Sequence, residues 1–221
     1  MKTFAIVTLI TTALLSSAQD SPTIKGHKIG ESFTDYLTIE SCGTENAARD
    51  LTGCAELLNN PKQRRKQEYR AEACQRIAEI ARNQTQTLSA IQATEVFGIS
   101  PFSEVEFVAQ KLVMVKLARN DAFPKVERDL AEKYGPPDSQ EQVPYENGFG
   151  AVFLHPRASW VKRPDVMIIA NEDPFTTPCS ALGDCRVLPI EGVNVVRIVI
   201  MDRSYSESLA QKEQQRPNSL N

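Results

Sequence analysis

The residues able to do acid–base or nucleophilic chemistry are few in this chain of 221 residues. It has two histidines, His27 and His155. A histidine-based nucleophilic site needs a hydroxyl or thiol and an orienting carboxylate within reach of the ring. The set available would be His155 with, for example, Ser159 and Asp165, and nothing in their spacing marks a triad. His155 precedes Pro156 in a turn-like His-Pro-Arg and is expected at the surface. His27 falls in a polar leader, Gln19 to Lys28. Gly30-Glu31-Ser32 lacks the strand and the second glycine of a nucleophile elbow. Carboxylates recur in pairs, Glu104/Glu106, Glu127/Asp129 and Glu172/Asp173, a pattern ordinarily explained by a charged surface face. A hydrolase working through such a pair is the catalytic alternative. With no phosphate-cradling glycine loop, metal-binding helix or calcium loop in the sequence, neither a cofactor nor a metal is expected.

Five cysteines remain to be placed: Cys42, Cys54, Cys74, Cys179 and Cys185. No Cys-x-x-Cys or Cys/His cluster exists, which argues against zinc. In an oxidising compartment they are expected to pair. Cys179 with Cys185 closes a short Gly-Asp-containing loop after Pro178. Of the other three, Cys42 with Cys54 is the first expectation, because Gly43 and Gly53 flank what reads as a short connection; Cys54 with Cys74 is the rival. The odd number leaves one thiol free or pairing between chains, a route to an oligomer.

Residues 1–18 carry the pattern of a signal peptide. Lys2 supplies a charged start, Phe4 to Leu15 an uncharged apolar run, and Ser16-Ser17-Ala18 a small-residue exit before Gln19. No later stretch approaches the length of a membrane-spanning helix. The protein is therefore expected to be secreted or periplasmic, with no integral membrane segment. The formal charge of −3 lacks the basic excess of a nucleic-acid-binding domain, so nucleic acid is not an expected partner.

The elements that must position these residues come next. Ile29 to Leu37 reads as a short helix capped by Ser32, with Asp35 completing a capping-box-like pair and Phe33, Tyr36 and Leu37 forming one apolar face. Residues 42–60 read as a cysteine-bearing connection with a helical turn near Cys54, and Lys62 to Arg82 as one helix. That helix begins with a basic run, Lys62 to Arg70, which a helix N-terminus disfavours. Thr87 to Val96 reads as a strand, and Val105 to Leu117 as one or two. The stretch FPKVERDLAEKYGPP then predicts a helix from Phe123 with an apolar stripe of Phe123, Val126, Leu130 and Tyr134. Asp121 is its cap or entry residue, Pro124 suits its first turn, and Gly135 with Pro136-Pro137 stops it. Strands follow at 150–154, 158–161, 166–170 and 193–201, with a polar helix from Ser204 to Gln214 and a frayed tail.

The fold class expected is α+β: two helix-plus-antiparallel-sheet units in tandem, sharing or abutting their sheets. The first unit spans residues 19–118, with a helical insertion at about 42–82, and the second spans 119–221. At this level KIGESFTDYL and FPKVERDLAEKYGPP, each followed by strands, resemble the helix–sheet units of secreted beta-lactamase-inhibitor-like proteins and of the SmpA/OmlA-type outer-membrane assembly lipoproteins. The chain departs from both in its insertion and odd cysteine, and it lacks the lipoproteins' anchoring cysteine. The resemblance implies a fold used for binding, and no individual functional residue. The expected activity is non-covalent binding of an envelope or extracellular protein, with Trp160, Phe153, Phe149 and Tyr145 as the contact group. For Trp160 a core position is the leading reading and contact the alternative. A hydrolase, or a purely structural or stress-protective exported protein, is the competing reading.

Overall fold

The computed structural model describes residues 23–97, 102–146, 150, 152–162, 165–173 and 195–215. The signal-like segment, Phe149, Cys179 and Cys185 lie outside the described residues. A small hairpin of β1 (Thr23–Ile24) and β2 (His27–Lys28) precedes α1 (Phe33–Glu40), α2 (Thr44–Asn59), α3 (Pro61–Lys66) and α4 (Glu68–Ala81). Then come β3 (Gln86–Ser89), α5 (Ala90–Phe97), β4 (Glu104–Val108), β5 (Lys111–Arg119) and α6 (Phe123–Tyr134). The chain continues through β6 (Ser139–Glu146), β7 (Val152–Lys162), β8 (Val166–Asp173), β9 (Val195–Asp202) and α7 (Arg203–Gln214). The class is α+β.

Among the described residues, seven strands form one antiparallel sheet in the order β3-β4-β5-β9-β8-β7-β6. The two halves of the chain meet in this sheet. β9 runs beside β5, from Met114↔Met201 to Arg119↔Val196, and beside β8 on its other side. Its nearly unbroken apolar run suits that central place, where both flanks of a strand are paired. One face carries Val105, Val115, Ile200, Ile198, Ile168, Ala170 and Trp160, and α1, α4 and α6 pack there to make a single core. On α6, Phe123 and Val126 are buried and Leu130 and Tyr134 pack at the margin, as the stripe predicts. Gly135 stops α6 at φ +82, a conformation that costs glycine little and other residues more.

Several local expectations change. Most of the 42–60 connection is a helix, α2, which begins at Thr44 just after Cys42 and rises roughly 15 Å from Thr44 to Cys54. The disulfide is instead Cys54–Cys74, tying α2 to α4 with a Cα separation of 5.1 Å, and Cys42 is a free, exposed thiol. The 62–82 helix breaks at Gln67. That break accounts for the basic run: Arg64, Arg65 and Lys66 occupy the last turn of α3, where the dipole favours cations, and Glu68 opens α4. Asn60 caps α3 by accepting from the Lys62 and Gln63 N–H groups at 3.2 Å each.

The expected strand 87–96 is half strand and half helix. Ser89 and Gln92 form a reciprocal capping box, with Ser89 N–H donating to Gln92 Oε1 at 3.1 Å and Gln92 N–H to Ser89 Oγ at 3.4 Å, and α5 begins there. Asp121 does not cap α6; it pairs with Lys125 at 2.7 Å and Arg119 at 2.5 Å, and Ala122 holds the cap position. His155-Pro-Arg is no turn. β7 runs straight through it, and β6, unseen in the sequence pattern, pairs along it from Ser139↔Ser159 to Glu146↔Val152.

Candidate functional site

The two faces of the sheet are covered unequally. Opposite the core face, α7 lies over one end only. There the Tyr205 hydroxyl donates to Glu106 and the Ser206 hydroxyl reaches the Met167 sulfur at 3.7 Å. Burial and the adjacent Glu106 carboxylate push the Tyr205 phenol well up, so it stays a protonated donor. Among the described residues, α7 is the helix that packs on this face of β8 and β9. Direct cross-strand pairing sets Arg157, Asn171 and Arg197 in one row on that face, and Ser159, Ile169 and Val199 in the next. With Val143, Tyr145 and His155 from the β6–β7 hairpin and Glu172, these residues other than Ser159 line a groove of about 400 Å³.

The hairpin itself outruns the sheet. β8 pairs with β7 only from Arg157↔Asn171 to Lys162↔Val166, whereas β6 stays paired to β7 as far as Val152. Pro156, at the parting point, lacks a backbone donor for further pairing. The projecting part exposes Val152, Phe153 and Leu154 at 60%, 49% and 63%, with Tyr145 at 41%. Phe153 and Tyr145 are direct cross-strand partners, so their side chains share a face. That face continues through Val143 and His155 into the groove.

The sequence-predicted contact group is therefore split. Phe153 and Tyr145 come together on the hairpin. Trp160 does not join them: it is fully buried under α6, its indole N–H donating to the Gly135 carbonyl at 2.9 Å. The reason is parity. Trp160 and Phe153 differ by an odd number of residues along one strand and so face opposite sides of the sheet. Trp160 is corrected from contact candidate to core residue.

The catalytic combinations fare similarly. His155 and Ser159 share a face of β7 but stand roughly 13 Å apart along it. The Ser159 hydroxyl bonds to that of Ser139 at 2.8 Å, and the Asp165 carbonyl accepts the Arg203 N–H at 2.7 Å. Of the carboxylate pairs, Glu104 is bound to Lys116 at 2.5 Å, Glu106 to Tyr205, Glu127 to Gln140 and Asp129 to Arg119 at 2.8 Å. Glu172 lies 3.7 Å from His155 Nδ1, too far for a hydrogen bond, and neither His155 ring nitrogen has a hydrogen-bond partner although both are enclosed. His155 is only partly exposed, not the surface residue its His-Pro context suggests.

His27 is the residue whose setting sequence reasoning missed. It is 1% exposed and clamped between two carboxylates, Nδ1 to Glu31 at 2.6 Å and Nε2 to Glu40 at 2.9 Å. The Tyr36 ring lies 4.7 Å from its ring and Phe102 5.4 Å. Burial alone would push the imidazole down, but the hydrogen bonds and charges of Glu31 and Glu40 outweigh it and hold the group at about 9. A doubly clamped imidazolium has no nitrogen left to act as a base or a metal ligand. Its work is to staple the β1–β2 hairpin onto α1. The spacing His27–Glu31 is visible in the sequence; the contribution of Glu40 required the fold.

A second depression, of about 540 Å³, lies among α2, α3 and α4, with Arg64, Arg65, Glu68 and Glu72 on its walls. Its charges are mixed and α3 buries no residue, so it has none of the groove's organised register. Among the described residues no helix is long and apolar enough to cross a membrane. Set against known proteins, the chain matches no family pattern, no curated protein and no solved structure.

Proposed function

We propose that this protein is an exported, non-catalytic binding module that captures another polypeptide of the envelope or extracellular space along the β6–β7 hairpin. The observation that carries the reading is the cluster of Tyr145, Val152, Phe153 and Leu154, four large apolar side chains exposed on one projecting hairpin. Scattered apolar residues at a surface are ordinary, but a contiguous group at the free end of a ribbon is the form of a contact site. β6 supports it further. Among the described residues it is an edge strand of eight residues, almost all exposed, a form that suits pairing with an incoming extended segment. Export rests on the signal-like residues 1–18, and the Cys54–Cys74 bridge agrees with an oxidising compartment. The tandem helix–sheet resemblance points the same way.

The test is crosslinking of the tagged protein in its native cells, with wild type beside Phe153→Ser/Leu154→Ser. Tyr69→Ser, at an exposed site on α4, is the control. One partner recovered in near-stoichiometric amount, lost with the hairpin variant and kept with the control, is the expected result. Recovery indifferent to the hairpin variant, or no partner above background, would overturn the reading.

A further inference from the structure

We infer that the basic helix α3 is a peripheral docking surface for a bilayer rich in anionic phospholipids, and that the protein lies against it with the β6–β7 hairpin turned away. The inference shares the exported location with the reading above and does not depend on the hairpin's partner.

The charge of α3 is dense and uncompensated. Its sequence, Pro-Lys-Gln-Arg-Arg-Lys, has four cations in six residues and no carboxylate. The run 61–70 sets five cations against Glu68 alone in a chain of formal charge −3, so the remainder of the chain is net acidic. Residues 61–69 are all exposed. Among the described residues, Arg76, Lys116, Arg119, Lys125, Arg157 and Arg203 each hold a carboxylate, whereas Lys62, Arg64, Arg65 and Lys66 hold none. Glu72, on the wall of the depression beside α3, is already taken by Arg76 at 3.1 Å and Gln92 at 3.0 Å.

The fold holds these cations in place without neutralising them. Asn60 caps α3, Pro61 opens it and Gln67 ends it. The dipole at its C-terminal end tolerates Arg64, Arg65 and Lys66 but disfavours Lys62 in the first turn. Lys62 and Lys66, four residues apart, repel each other. An external polyanion offsets both costs.

The composition of the helix selects the polyanion. Pro61 apart, α3 has no apolar side chain. A protein partner is held through a desolvated, largely apolar centre, which this helix does not supply. A headgroup surface needs only cations, each of which adds to adsorption through the negative surface potential. Export, read from residues 1–18, brings the chain among membranes. Geometry then sets the orientation. α3 joins the molecule through α2 and α4, and α4 packs on β3. β6 lies six strand spacings, roughly 29 Å, across the sheet from β3. β6 also carries Glu141 and Glu146, which an anionic surface repels. A protein adsorbed by α3 presents the hairpin to a partner beyond the membrane.

The experiment is cosedimentation of the intact protein with vesicles of phosphatidylcholine alone or with about one-third phosphatidylglycerol added. Partition onto the anionic vesicles, none onto the neutral ones, and a steep fall with added salt are expected. Each cation removed should weaken partition on the order of fivefold, so Arg64→Gln/Arg65→Gln should bind on the order of twentyfold less. Arg64→Lys/Arg65→Lys should bind as wild type, since charge alone is read. These positions are exposed, and unchanged melting temperatures would separate lost binding from lost folding. Phe153→Ser/Leu154→Ser should partition as wild type. Absence of partition, equal partition onto neutral vesicles, indifference to the Gln variant or loss in the Lys variant would each overturn the inference. Loss in the hairpin variant would move the membrane contact to the apolar tip and also overturn it. An acidic envelope protein crosslinked through Arg64 and Arg65, without vesicle partition, would assign α3 to a protein partner and overturn it too. The hairpin reading stands or falls separately, on its own crosslinking test.

Discussion

The sheet ends differently on its two sides. At one edge β3 is only four residues long, and the structure around it closes it. The α4 residue Arg76 donates to the Thr87 carbonyl at 3.3 Å, α5 turns away through the Ser89–Gln92 box, and the Cys54–Cys74 bridge holds the helices behind it. At the other edge β6 has twice the length, no helix or further strand beyond it among the described residues, and an apolar tip. Exposed edges invite unwanted pairing, and proteins usually shorten, charge or cover them. Here one edge receives that treatment. The other keeps only Glu141, Pro144 and Glu146 as protection, which blunt indiscriminate pairing and leave a surface that a matched partner can still use. The contrast is what motivates the proposal of contact on the β6 side, while the β3 side is tied into the helices.

The comparison can be broken, beginning with the largest effect. Trp160→Ala removes a fully buried ring and its bond to Gly135, and should cost about 3–5 kcal/mol in a denaturant titration. A loss under about 1 kcal/mol would mean that the β6 side lacks a packed core of its own. Replacing Cys54 and Cys74 together by Ala opens a closed loop of 20 residues and should cost about 3 kcal/mol by the chain-entropy argument, with activity at the hairpin unchanged.

The His27 clamp gives a pH signature. Its folded value of about 9 lies above the ordinary 6.5, so the stability it contributes is fully present below 6.5 and is lost as pH rises through 9. The melting temperature should fall across that window in wild type, and His27→Gln should lose that part of the fall. A variant retaining the full alkaline decline would place its cause elsewhere. Ser89→Ala, at the closed edge, should cost about 1 kcal/mol through its lost cap. The smallest effect on stability belongs to Phe153→Ser, within about 0.5 kcal/mol, although it should abolish partner capture. Measurable unfolding in that variant would show that the hairpin is part of the core and not a contact surface.

Patterns that follow from adjacent residues were legible. The stripe of α6 is local, and so is its stop at Gly135. The Ser32 cap with Asp35 appears as read, with the Asp35 N–H donating to Ser32 Oγ at 3.1 Å. The α5 start was legible too and was misread: Ser89 and Gln92 have capping-box spacing, but Thr87 and the β-branched residues near it drew the period toward a strand. α2 was hidden because Gly43 and Gly53 suggested turns. Only Gly43 supplies one, at φ +133, while Gly53 sits inside the helix. β6 was hidden for the opposite reason. A strand exposed on both faces has no alternation to detect, and SQEQVPYE reads as loop.

By itself the sequence determined the α+β class and the cap and stop of single elements, such as Ser32 before α1 and Gly135 after α6. These depend on contacts within a few residues, which composition and spacing encode directly. The tertiary structure decided which cysteine reached Cys74, which two glutamates enclosed His27, and that Trp160 faced α6 while Tyr145 and Phe153 faced solvent. It also set Arg157 beside Asn171 and Arg197. Those outcomes depend on the register between strands and the rigidity of a helix between two cysteines, quantities fixed only when distant segments pack.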